Sequence, residues 1–266
     1  MLFDVRAITA FWSSLSLTLL GQPLAPASSS SASLLKVQED CISCSPCAVD
    51  SCQTNLPGGL ILLTQFWDSH PAAGPDDSWT IHGLWPDYCN GSYPANCDPS
   101  RASLQPLQVL RDAGEVDLIS YMNEFWVSNM GSTPNFWSHE WSKHGVCVST
   151  LDPKCYSPSE YTPHRDLIDF FNTTTSLHAR YNIYQALAKA DILPTASKTY
   201  AVADIKAALK KEFGVNVALR CRSVYLQEAW IYHHTVGRAT SPDSFIPIDG
   251  LAKDDRCPQN IRYMPK

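Results

Sequence analysis

Apolar positions along the chain fall into two kinds of run. Residues 60–67 are a short, almost unbroken apolar stretch entered from Gly58-Gly59, and 68–77 are a polar loop with Pro and Gly. Length and flanks predict a buried strand. Residues 79–84 predict the next strand, and 86–101 a loop. In 116–130, Val116, Leu118, Ile119, Met122, Phe125 and Trp126 recur at helical spacing. A helix over 135–145 is closed by Gly145. Residues 164–171, 183–190 and 203–213 predict further helices, and 215–221, 224–227 and 229–234 further strands. Helices and strands that cluster without strict alternation predict an α+β fold, with no internal repeat and no second domain.

Composition adds a compartment. Residues 11–20 form a short apolar run followed by Pro23, Ala25, Pro26 and Ala27, the pattern of a signal peptide over residues 1–27. The run is too short to span a bilayer. A Ser/Ala-rich linker, 28–40, leads into a domain over 41–266. Asn90-Gly91-Ser92 and Asn172-Thr173-Thr174 are glycosylation acceptors. The ten cysteines are Cys41, Cys44, Cys47, Cys52, Cys89, Cys97, Cys147, Cys155, Cys221 and Cys257. The C-x-x-C-x-x-C run at Cys41 admits a zinc reading. It has no His, and Cys89/Cys97 and Cys147/Cys155 lack finger spacing, so five disulfides in an oxidising compartment are expected. The formal charge of −6 argues against a protein held to nucleic acid by a broadly basic surface. It leaves room for an enzyme that meets a polyanion in one local pocket.

The candidate chemistry lies in two stretches. Trp137-Ser138-His139-Glu140-Trp141-Ser142-Lys143-His144-Gly145 carries two His, one Glu and one Lys within six residues. On a helix turning about 100° per residue, Glu140 and His144 share a face and Lys143 lies beside both. His139 sits on the flank, roughly 140° from His144. Metalloproteases use H-E-x-x-H; here the spacing is H-E-x-x-x-H, which turns His139 away from His144 and disfavours zinc. The second stretch, Trp79-Thr80-Ile81-His82-Gly83-Leu84-Trp85-Pro86, brings a third imidazole on a strand. Trp137 and Trp141 are expected to pack the helix rather than stack on bases. His70, His164, His178, His233 and His234 have no supporting motif.

Ile81–Pro86 and His139–Gly145 resemble the two active-site segments of the ribonuclease T2 family of secreted endoribonucleases. Pro57-Gly58-Gly59, Thr64-Gln65-Phe66-Trp67, the stretch 74–85 and the tail Tyr263-Met264-Pro265-Lys266 resemble its fungal branch, so the likeness covers about 41–266. It implies a single α+β domain with a central antiparallel sheet, several helices and a set of disulfides. One N-terminal Cys is expected on Cys89 and another on Cys155, with Cys97–Cys147 and Cys221–Cys257 paired. The entry segment departs from the family where Cys52-Gln53 replaces adjacent cysteines.

The resemblance further implies cleavage of single-stranded RNA through a 2′,3′-cyclic phosphate to 3′-phosphate ends, without metal or other cofactor. His144 is then the general base and His82 the general acid. Glu140 and Lys143 stabilise the transition state, and His139 binds phosphate. Two imidazoles suit such proton transfers because their pKa lies near 6.5. Trp85, Asp87 and Tyr93 match the first base site, with mild adenine preference expected from Asp87; Gln65 and Phe136 are candidates for a second. A secreted (or vacuolar or lysosomal) monomer follows, acting on RNA but not on DNA or membranes. The competing readings are an inactive storage or defence protein on the same fold and a secreted glycan-binding module.

Overall fold

The computed structural model describes residues 41–266; the predicted signal peptide and linker lie outside them. The first strand, β1 (Leu60–Phe66), and the second, β2 (Thr80–Asp87), pair antiparallel. Five helices follow: α1 (Pro99–Ala102), α2 (Pro106–Asp112), α3 (Val116–Phe125), α4 (Thr133–Lys143) and α5 (Arg165–Arg180). Then come α6 (Ile183–Ala188), β3 (Tyr200–Ala201), α7 (Val202–Phe213), β4 (Ala218–Arg222), β5 (Tyr225–Thr235), β6 (Phe245–Ile248) and β7 (Asn260–Ile261). The main sheet runs β2-β1-β5-β4, with β6 also pairing β5, all antiparallel. The class is α+β, as expected. Among the described residues no helix is long and apolar enough to cross a membrane.

The two sheet faces carry different loads. Ile61, Leu63, Ile81, Leu84, Leu219, Ala229 and Ile231 face the helices and join the main core with Trp126, Trp137, Trp141, Phe170 and Phe171. Leu60, Leu62, Ala218 and Tyr232 form a smaller cluster on the other face, against which Trp85 and Trp230 pack.

Several expectations needed correction. The predicted strand 79–84 continues through Trp85-Pro86 to Asp87. Pro86 is tolerated because β2 is an edge strand, where a missing N–H leaves no ladder bond unmade. The strands predicted at 224–227 and 229–234 are one strand, which runs through Glu228. The helix predicted at 164–171 extends to Arg180. Its β-branched Thr173, Thr174 and Thr175 are buried, and Thr174 and Thr175 bond back to the carbonyls of Phe170 and Phe171, so tertiary packing outweighs their weak propensity. That placement also bears on the acceptor reading of Asn172. It lies half-buried inside α5 with Thr174 fully covered, not on a surface loop. Asn90 stands exposed in a turn, accepting bonds from Ser92.

Five disulfides staple the fold: Cys41–Cys47, Cys44–Cys89, Cys52–Cys155, Cys97–Cys147 and Cys221–Cys257. The pairings implied by resemblance all appear, and the three cysteines of the run at Cys41 are all in disulfides, Cys41 with Cys47 and Cys44 with Cys89. Cys97–Cys147, with the Asn96 N–H donated to the Lys143 carbonyl, ties the C-terminus of α4 to the loop after β2.

Candidate active site

Helix α4 is held by its tryptophans. Trp137 and Trp141 are four apart and fully buried. The Trp141 indole N–H is donated to the Arg101 carbonyl, 2.9 Å. The Trp137 N–H reaches the Trp126 carbonyl, and the Trp126 N–H reaches the His82 carbonyl, 3.0 Å. A relay of two indoles thus fixes α4 against β2. Ser132 caps the helix. This anchoring turns Glu140 and His144 inward, 1% and 4% exposed, while His139 stays at the exposed rim.

His82 owes its orientation to a β-bulge. Thr64 pairs with Gly83 and Gln65 with Ile81, so His82 has no partner on β1. Bulges insert a residue and re-aim side chains. Here the insertion lets His82 and Trp85, three apart, share one face: their rings meet edge-on at 4.5 Å. His82 also stacks on Phe66 at 3.8 Å, and Phe136 lies 6.0 Å away. The other face of the site closes over Trp85, whose ring stacks on His144 at 4.9 Å. Its indole N–H is donated to Glu140 Oε2, 2.8 Å. Gly83 makes this possible: a Cβ there would stand 2.0 Å from Glu140 Oε2.

The environments of the titrating groups differ in sign. Burial, then the Lys143 ammonium and the neighbouring imidazoles, push His144 down to about 2. Burial also lowers His82, but Glu228 opposes it. Glu228 Oε2 stands 3.8 Å from His82 Nδ1, an ion-pair separation rather than a closed hydrogen bond. The carboxylate is itself held by the Trp230 N–H at 2.7 Å. Burial pushes Glu228 up, yet His82, Trp230 and Arg220 outweigh it and keep the carboxyl below its usual range. Glu140 goes the other way: burial raises it to about 8 against the pull of Trp85 and Lys143. His139 is lowered by burial and then by Lys143.

The expected residues divide by where the structure puts them. His82, His139, Glu140, Lys143, His144 and Trp85 come together. Phe136 joins them at His82. Asp87 ends β2, 7% exposed, with its carboxyl raised to about 7 by burial and then by Asp254, against Lys253. Lys253 also donates to the Gly91 carbonyl, pinning the turn that precedes Tyr93. Tyr93 itself is 64% exposed, and among the described residues no ring contact joins it to Trp85. Gln65 is misplaced by the expectation. It pairs with Ile81 and Ala229 on the helix-facing side, is fully buried, and donates to the Tyr181 carbonyl at 3.0 Å. Strand alternation puts the next residue, Phe66, at the site instead. Glu228, Trp230, Phe66 and Gly83 were not found from sequence. Among the described residues no group of three or more His, Cys, Asp or Glu could hold a metal ion. His178 and His233 are core residues, bonded to the carbonyls of Trp79 and Ile61.

Fold and site together define a class: disulfide-bonded α+β proteins with a cluster of histidines and carboxyl groups on one face of an antiparallel sheet. The model of the Ribonuclease T2 family matches residues 58–247, and the chain belongs to that family. Ribonuclease Trv of Hypocrea rufa is 44% identical over 211 residues, covering 79% of this chain and 89% of that protein. A ribonuclease T2-like protein of Aspergillus fumigatus is 42% identical over 218 residues, 82% of this chain. The chain spans about half the length of that relative and of its Emericella nidulans counterpart, 53% and 52%. The crystal structure of Actibind, a T2 ribonuclease, superposes with a TM-score of 0.80 at 36% identity, covering 86% of this chain and 96% of that one.

Proposed function

We propose that the chain is a metal-independent endoribonuclease that cleaves single-stranded RNA by transphosphorylation. The observation that carries this reading is the pair of imidazoles set on one indole, His144 stacked on Trp85 and His82 at its edge, with a carboxylate beside only one of them. Environments that push two titrating groups apart assign acid and base. Neutral His144 removes the ribose 2′-proton. Protonated His82, supported by Glu228, gives its proton to the leaving 5′-oxygen. The 2′,3′-cyclic phosphate so formed is hydrolysed to a 3′-phosphate with the roles exchanged. Lys143 opposes the charge on the phosphorane. Glu140, held protonated below about 8, donates an O–H to a phosphorane oxygen, which explains how a carboxyl can stabilise an anion. His139, at the rim, takes the substrate phosphate.

A base held by Trp85 and Tyr93 gains stacking energy nearly blind to identity. Asp87 then tunes the choice. Below about pH 7 its carboxyl is neutral, both donor and acceptor, and discriminates little. Ionised, it accepts only and favours an amine such as adenine N6. Broad cleavage with a mild adenine preference follows. Phe66 and Phe136 line the second base position. DNA lacks the 2′-hydroxyl and stays intact. Five disulfides suit a secreted or lumenal monomer, with a leader removed before residue 41.

Product analysis on end-labelled RNA in the presence of a chelator tests the reading. Cyclic phosphate should appear first, with the rate unchanged by chelation. Products with 5′-phosphate ends, or activity lost to the chelator and restored by zinc, would contradict it.

A further inference from the structure

Just past His82 the sheet opens into a groove of about 500 Å³. Its walls are the chain leaving β1 (Trp67, Asp68, His70) and the β4–β5 turn (Arg222, Tyr225, Gln227). The groove lies at the strand ends next to the candidate site: Trp67 follows Phe66, which stacks on His82, though the Trp67 ring itself turns into the helix-facing core, and Gln227 precedes Glu228, which faces His82. Along β1 the order is linear. Leu60 lies opposite Asp87 and Leu62 opposite Trp85, while Phe66 at the far end lies opposite Glu228. A substrate with its base at Asp87 and its leaving oxygen at His82 therefore points its 3′ continuation toward this groove.

The groove suits that continuation chemically. Tyr225 is 46% exposed. Arg222 is exposed, and among the described residues its guanidinium makes no ion pair or hydrogen bond. Arg220 lies over Trp230 at 4.3 Å, two residues before Arg222, and the backbones of Arg220 and Tyr225 form β-bridges with Arg256 and Arg262. Of these arginines Arg222 is the one that lines the groove, while Arg220 is paired with Asp254 at 3.7 Å, in a chain whose formal charge is −6. The groove's carboxyl does not cancel Arg222 in acid. Asp68 is 3% exposed, takes a bond from Asn129 at 2.6 Å, and burial raises it to about 6, so it is neutral below that pH. An exposed aromatic beside an unpaired guanidinium is the arrangement that holds single-stranded nucleic acid.

Resting on the nuclease reading above, we infer that this groove is a subsite for the RNA nucleotide that follows the leaving one, its base stacked on Tyr225 and its phosphate on Arg222. The test uses substrates with one ribonucleotide, so that only one bond is cleavable: rA-dT and rA-dT-dT. In the wild type the third nucleotide should raise kcat/KM about five- to tenfold, the lower part of what one stacked base contributes. The double variant Arg222→Ala/Tyr225→Ala should lose that gain while cleaving rA-dT at the wild-type rate. Its salt slope on the longer substrate should be shallower by about 0.7, one phosphate contact fewer. The all-deoxy dA-dT-dT, which cannot be cleaved, should bind the wild type about fivefold tighter than the double variant. No gain in the wild type, or a gain that survives the double substitution, overturns the subsite. A binding difference without any cleavage would leave the subsite standing and strike the nuclease reading alone.

Discussion

His82 and His144 belong to the same small site, yet they are built by different means. His144 stands at the C-terminus of α4, placed by local geometry: Glu140 is one turn earlier and its carbonyl takes the His144 N–H at 3.1 Å. No carboxylate is among the charges that act on His144, and Lys143 and the other imidazoles push its proton off. His82 stands in a strand bulge, placed by pairing, and its carboxylate comes from β5, far along the chain. Burial alone makes both imidazoles poor proton carriers. One anion at 3.8 Å opposes that effect at His82 alone, which is why the proposed mechanism gives His82 the acid's part. On the proposed mechanism, the division of labour between the two imidazoles is set by the residues around them, not by the histidines themselves.

Removing either imidazole is the bluntest way to break this comparison. His82→Ala and His144→Ala should each lower kcat about 100- to 10,000-fold on RNA, the range for acid–base groups. A substrate whose leaving group needs no proton, a nucleoside 3′-aryl phosphate, should sharpen the contrast. It should rescue most of the loss in His82→Ala and little of it in His144→Ala. Equal rescue in both variants would remove the assignment of roles.

A smaller effect is expected where the two halves touch. Gly83→Ala would drive a methyl into Glu140 Oε2 and push α4 from β2. Overpacking of this kind destabilises by about 1–3 kcal/mol, read as a lower Tm, and kcat should fall with it because Glu140 loses its place on Trp85. An unchanged Tm and kcat would show that the halves are not in close register there.

The mildest effect concerns Asp87. Its pKa is raised to about 7, so the anion grows in as pH rises through that value. The ratio of ApU to UpU cleavage should therefore increase from pH 5 to pH 8, by about fivefold if one charge-assisted bond is gained. In Asp87→Asn the ratio should be flat with pH. A flat ratio in the wild type would take Asp87 out of base selection.

The helix half of the site was legible in the sequence because its residues lie within six positions and helical spacing is regular. The strand half was legible only as a His motif. Its bulge is invisible in sequence, and without the bulge His82 and Trp85 would alternate onto opposite faces. Glu228 carried a signal of a kind: it was the polar residue that split one long strand into two expected strands. Nothing local says that such a residue faces His82, because the pairing of β5 with β1 sets that register. Gln65 failed for the same reason, since strand parity decides between it and Phe66. The long strands and helices were visible from apolar runs; the short α1, opened by a proline at the end of the expected loop, and α2, opened by a proline in a stretch given no element, were not.

The central claim is that Glu228 makes His82 the acid. The most direct test is an NMR titration of the two imidazoles in the wild type and in Glu228→Gln. Burial lowers both, and the Glu228 anion favours only protonated His82, so His82 should hold its proton to a higher pH than His144. In Glu228→Gln the His82 midpoint should move to lower pH, the His144 midpoint should barely change, and the alkaline limb of the pH–rate profile should shift to lower pH with His82. A His82 midpoint unmoved by the substitution, or His144 protonating first on acidification, would contradict the account.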